Sequence, residues 1–135
     1  MADPRVARTR ERVIGTVRDL LADATSGPPT FSTIAEAAGV SRKTLYAHWD
    51  SPAQLIRDML LEAHSEIVVA TDAGHAEILR SFLADVRNSV ADPAVHAGVA
   101  YLVQAATHDA DAADTLRGIG AGRAAEIGAL LGTEV

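Results

Sequence analysis

Apolar residues recur at helical spacing along almost the whole chain, and short clusters of Gly, Pro, Asp and Ser cut the pattern into segments. Val6, Val13, Ile14, Val17, Leu20, Leu21 and Ala24 form a stripe that predicts a first helix over residues 5–24, closed by Ser26, Gly27, Pro28 and Pro29. Phe31, Ile34, Ala35 and Ala38 share the inward face of a short second helix. Gly39 ends it in the left-handed conformation, and Val40 turns back to the core. Ser41 then caps a third helix whose inward residues are Leu45 and Trp49. In the segment DSP, Ser51 reads as an N-cap and Pro52 as the first helical residue. Leu55, Ile56, Met59, Leu60, Ala63, Ile67 and Ala70 continue that stripe, predicting one long rod to about Ala73 with Gly74 ending it.

Residues 77–91 form a further amphipathic helix, with Ile78, Leu79, Phe82, Leu83, Val86 and Val90 inward. A nearly all-apolar helix from Pro93 to about Thr107 is expected to be buried on most sides. A last helix over 112–131 is weakened by Gly118, Gly120 and Gly122. The fold class is all-α: a three-helix helix-turn-helix head over residues 1–50, then a helical regulatory and dimerisation body over residues 51–135.

The stretch from Thr30 to Trp49 carries the most specific chemistry. Two short helices, each opened by a hydroxyl cap and joined at a glycine, are helix-turn-helix grammar. Arg42, Lys43, Thr44, Tyr46, Ala47 and His48 are left facing outward. A helix entering a major groove needs donors near its start, small residues for close approach, and hydroxyls for phosphate oxygens, and this set supplies them. Arg42 or Lys43 is placed to donate to guanine edges and Tyr46 to a phosphate. Thr30, Ser32 and Ser41 add hydroxyls at the two helix starts. The alternative is an ordinary helical hairpin with a solvated face, but an exposed Tyr beside small residues does not suit one.

Charge sharpens this picture. The formal net charge is -6. Residues 1–50 hold seven basic and six acidic groups, for +1, whereas residues 51–135 hold five and twelve, for -7. The acidity lies in the body, and grouped cations in the head can still release counterions from a phosphate backbone. Arg5, Arg8 and Arg12 cluster on one face of the first helix, either as a solvated end with Asp3 and Glu11 or as an arm along DNA. There is no cysteine, no apolar leader and no apolar run long enough for a membrane span, so the chain reads as a cytoplasmic protein with no membrane partner.

Thr30, Ile34, Ala35, Ala38, Gly39, Val40, Ser41, Thr44, Leu45, Tyr46, His48, Trp49 and Leu55, with Arg10, Val13, Ile14 and Leu20 upstream, resemble the DNA-binding segment of the tetracycline-repressor (TetR) family of transcriptional regulators. The resemblance covers about residues 9–60. It implies a repressor that binds double-stranded, pseudo-palindromic operator DNA as a homodimer and leaves it when a small-molecule effector fills the body. It also implies that the fourth helix links effector site to reading head. One departure stands out: where the family usually places a phosphate-contacting Lys, this chain has Pro52. Members also continue past a segment such as AAEIGALLG with two helices that pair with a second subunit. Ending at Val135 is compatible with a fragment, with a short member that dimerises through its C-terminal third, or with a monomer.

In the body, Ala97, Tyr101, Gln104 and His108 make a polar stripe on an apolar helix, whose partners are core neighbours, water, a second subunit or a ligand. An effector cavity lined by Met59, Phe82, Tyr101 and Gln104 is the corresponding expectation. HDADAAD at 108–114 reads as a helix boundary more readily than a metal site, because one His with local Asp residues lacks separated ligands. RGIGAGR has no preceding strand and the wrong spacing for a phosphate loop. No cofactor is implied, and no nucleophile and base are paired as an enzyme requires. The competing function is a helical protein-interaction module that keeps the head without reading DNA.

Overall fold

The computed structural model describes residues 3–64 and 67–132, and among them the only regular elements are seven α-helices. They are α1 (Pro4–Ala22), α2 (Phe31–Ala38), α3 (Arg42–His48), α4 (Pro52–Ala63), α5 (His75–Ala91), α6 (Pro93–Ala105) and α7 (Ala110–Leu131). The all-α class follows. No helix among the described residues is long and apolar enough to cross a membrane.

Local chemistry sets most boundaries. Asp3 caps α1 by accepting from the Arg5 amide, with Pro4 in the first turn. Thr30 and Thr33 form a reciprocal capping box on α2, and Gly39 ends that helix at φ 68°. Ser41 caps α3 through the Thr44 amide, and Ser51 caps α4 through that of Gln54. Asp92 and Asp109 do the same for α6 and α7.

One core runs through the chain. Val13, Val17, Ile34, Leu45, Leu55 and Ile56 are completely buried in it. α1 packs against α2, α4 and α6, so the first three helices share their apolar interior with α4. α6 approaches α4 closely at Gly98: a Cβ there would lie 3.0 Å from Met59 Cε and 3.3 Å from Ile56 Cγ2 and Leu60 Cδ2. Gly98→Val is therefore expected to lower stability by about 1–3 kcal/mol through overpacking. Gly98→Ala should change it far less, since the Met59 tip can move and Ala favours helix by roughly 1 kcal/mol. Urea unfolding midpoints of the two variants check this.

Several expectations are corrected. α4 is not a rod to Ala73 but stops at Ala63, where His64 turns extended at φ -76° and ψ 128°. Ile67, Val68 and Val69 are β-branched and weak helix formers. Glu126 of α7 also accepts the Ile67 amide at 3.2 Å, giving the backbone a partner outside a helix. Gly74 precedes α5 as its N-cap, and does not end α4. Val6 and Ala24 fall outside the core stripe of α1, and Leu79, Leu83 and Val90 of α5 are exposed. In α6 only Ala94, Gly98 and Leu102 are buried, while Val99 and Val103 are exposed, although α1, α4, α5 and α7 all pack against parts of it. α7 runs unbroken through its three glycines and starts two residues earlier than expected.

A polar cluster joins the head to α4. Asp58 Oδ2 accepts from Trp49 Nε1 at 2.9 Å and from Arg10 at 3.2 Å, Oδ1 accepts from Arg57, and Arg10 also pairs with Glu62. Burial pushes the Asp58 carboxyl up, but hydrogen bonds from Trp49, Arg57 and Arg10 outweigh it and hold the pKa below its ordinary value. Asp92 is also lowered, chiefly by its bond from Arg18. A depressed carboxylate contributes stability above its unfolded pKa that disappears as pH falls through the folded one. Acid unfolding of Asp58→Asn should accordingly depend less steeply on pH below about 4 than that of the parent. The slope of stability against pH, from urea titrations at several acidic pH values, measures the difference.

Candidate nucleic-acid interface

α3 is held from beneath. Leu45 is fully buried and Trp49, its C-cap residue, is nearly so. Trp49 also donates to Asp58, which fixes the end of the helix against α4. With this face anchored, Arg42, Lys43, Tyr46 and Ala47 are exposed, and Thr44 and His48 half-buried. Tyr46 is 61 % exposed, yet its ring makes an edge contact with Phe31 at 4.8 Å between centroids. That contact holds the phenol ring against the start of α2. His48 lies tilted against Trp49 at 5.3 Å.

The helix starts sit beside this surface. Thr30, Ser32 and Ser41 are exposed. Two of these hydroxyls already have partners: Thr30 Oγ1 caps α2, and Ser41 Oγ lies 2.9 Å from Thr44 Oγ1 while capping α3. Arg5 and Arg8 are exposed on α1, as is Arg12. Among the described residues, Arg5, Arg8, Arg12, Arg42 and Lys43 of the head enter no ion pair, nor do Arg80 and Arg87 of α5, whereas Arg10, Arg18, Arg57, Arg117 and Arg123 do. The unpaired cations of the head remain available to an outside polyanion. The Thr33 half of the capping box was missed from sequence, although its spacing of three from Thr30 is the signal for one.

Residues 20–59 match the pattern of bacterial regulatory proteins of the tetR family. Over these residues the chain is similar to the DNA-binding head of tetR-family regulators. The match takes in the last turn of α1, all of α2 and α3, and α4 as far as Met59. No curated protein matches the chain. The tetR family is one of DNA-binding helix-turn-helix transcription regulators. Pro52, in place of the family's usual Lys, is the first residue of α4. It has no donor to offer a phosphate.

The four residues expected to line an effector cavity are not brought together. Met59 is buried in the core beneath Gly98. Phe82 is covered by the Arg123 guanidinium, 5.2 Å from the ring centroid. Tyr101 and Gln104 line a cavity of about 340 Å³ between α6, the end of α1 and the loop with Pro28 and Pro29. Burial, then the nearby Asp109, pushes the Tyr101 phenol up. The reason is rotational: Gly98 and Leu102 turn toward α4, which carries Tyr101 and Gln104 round to the α1 side. A second cavity, of about 380 Å³, opens between α4, α5, α6 and α7. Its wall includes Leu60, Val86, Val95, Val99 and Ile119, and it has a polar end at His64, Arg123 and Glu126. Gly118 and Gly122 also line this cavity.

Proposed function

We propose that the chain is a transcriptional repressor that binds pseudo-palindromic operator DNA as a homodimer and is released when a small molecule occupies its helical body. The observation that carries the DNA half is the exposed face of α3, with Arg42 and Lys43 unpaired above a helix seated by Leu45 and Trp49. In this reading Arg42 and Lys43 read bases. Thr44, Tyr46, His48, Thr30, Ser32 and Ser41 position the backbone, Ala47 allows close approach, and Arg5 and Arg8 lie along a neighbouring phosphate run. Residues 1–50 do the reading and residues 51–135 supply regulation and pairing. The exposed Leu79, Leu83 and Val90 of α5 and Val103 of α6 support pairing through the body.

Selection from a pool of randomised duplexes tests this. The expected result is enrichment of an inverted repeat, bound with an affinity that falls steeply with salt. A pool that stays random, with no salt-dependent mobility shift, would leave an interaction module that keeps the head without reading DNA. Light scattering over a concentration series is expected to show a dimer by tens of micromolar or on the selected duplex. A monomeric mass in both would remove the paired-head arrangement. Tyr46→Phe should weaken all duplexes alike, by about 1 kcal/mol, because a phosphate contact carries no sequence information. Parallel titrations of the selected and a scrambled duplex measure it.

A further inference from the structure

The cavity between α4 and α7 has a polar end of unusual balance. Arg123 donates to Asp85 at 2.6 Å and to Glu126 at 3.2 Å, and its guanidinium nitrogen also lies 2.7 Å from His64 Nδ1. His64 Nε2 is 3.0 Å from Glu126, and the imidazole is 3.6 Å from Asp85. These four side chains are 19 to 25 % exposed. Two carboxylates, Asp85 and Glu126, share one guanidinium and one imidazole, so the permanent positive charge is one short of the negative in a partly desolvated place. Among the described residues no further cation pairs with it: Arg117 is bonded to Asp114 at the surface, and α6 contributes only apolar residues to the wall.

An anionic ligand would meet an Arg already engaged on both sides and two carboxylates behind it. A cation would meet acceptors and cancel the surplus. Apart from the Ser89 hydroxyl, the remainder of the wall is valine, leucine, isoleucine and alanine, with Gly118 and Gly122 leaving room: a Cβ on either would meet no atom within 4 Å. We propose that this cavity takes an apolar organic amine, whose hydrocarbon body lies among Val86, Val95, Val99 and Ile119 and whose ammonium group binds at Glu126 beside Asp85.

The same contacts tie the site to the head. α7 is clasped to α4 at both ends of α4: Ser51 donates to Asp111 at 2.6 Å, and His64 meets Glu126 where α4 stops. An ammonium group on Glu126 competes with His64 and with the Ile67 amide, loosening the second clasp while the first holds. α4 also carries Asp58, the acceptor for Trp49 at the end of α3, so a shift of α4 reaches the reading helix. This effect on DNA rests on the regulator reading proposed above; amine binding does not.

The test uses 4-phenylbutylamine, 4-phenylbutanol and 4-phenylbutanoate, three probes of one shape and different charge, titrated calorimetrically into the DNA-free protein. The amine is expected to bind about tenfold more tightly than the alcohol, and the carboxylate more weakly than either. Glu126→Gln, which keeps an acceptor for Ile67 but removes the surplus charge, should bring amine and alcohol to equal affinity. Gly122→Leu should weaken all three by filling the cavity. If Glu126→Gln fails to fold, Asp85→Asn removes the same charge from the same cluster. Equal affinities in the parent protein, a preference for the carboxylate, an amine preference that survives the neutral variant, or no binding of any probe would each overturn the proposal. Because no DNA is present, failure here is distinct from failure of the duplex selection.

Discussion

Arg42→Ala is expected to weaken binding to the selected duplex by roughly 1–3 kcal/mol, about 5- to 150-fold, and to relax preference at one base-pair position. The reason is geometric. α3 is only seven residues long and its first turn is the part that a groove-entering helix brings to base edges, so Arg42 and Lys43 are its best-placed long donors. Neither enters an ion pair within the described residues, so removing one should leave the fold intact. The combined Arg42→Ala and Lys43→Ala change should abolish selective binding while the far-ultraviolet circular dichroism and the urea midpoint remain those of the parent. Electrophoretic titration of the selected duplex against a scrambled one reads both effects. Operator binding that survives the double change would mean that α3 is not the reading helix.

Trp49→Ala is the substitution with the largest expected effect on stability, about 3–5 kcal/mol. Trp49 is the largest side chain of the buried core and is 3 % exposed. It ends α3, packs into the core shared by the head and α4, and supplies a donor to Asp58. Truncation leaves a cavity and also takes a hydrogen bond from a partly buried carboxylate. Trp49→Phe separates the two parts: most of the apolar contact stays, the indole donor goes, and the loss should be about 1–3 kcal/mol. Urea midpoints of the two variants and the parent give the split. Since the same residue seats α3, both changes should weaken DNA binding more than the stability loss alone predicts, and the weakening should follow loss of the Asp58 bond.

The head was legible from residue types and spacing because its signals are local. A hydroxyl three residues ahead of the amide it caps, a glycine at a left-handed position and apolar residues four apart each act within one or two turns. The caps at Thr30, Ser41 and Ser51, the turn at Gly39 and the inward Leu45 and Trp49 are all of this kind. The body was less legible because its decisions are made between distant segments. Periodicity carried the fourth helix on to Ala73, but its end at Ala63 is set where His64 and the Ile67 amide meet Glu126, about sixty residues away. Periodicity also marks which residues of α5 are apolar without saying which find a neighbour, so Leu79, Leu83 and Val90 lie on its inward stripe by spacing and yet are exposed. The candidate effector site shows the same limit. The sequence marked Tyr101 and Gln104 as polar groups in need of partners, while the cluster of His64, Asp85, Arg123 and Glu126 exists only because α4, α5 and α7 meet there. Local rules specify how a helix begins and ends, and which side of it is apolar; only packing decides which of several apolar sides is covered, and by what.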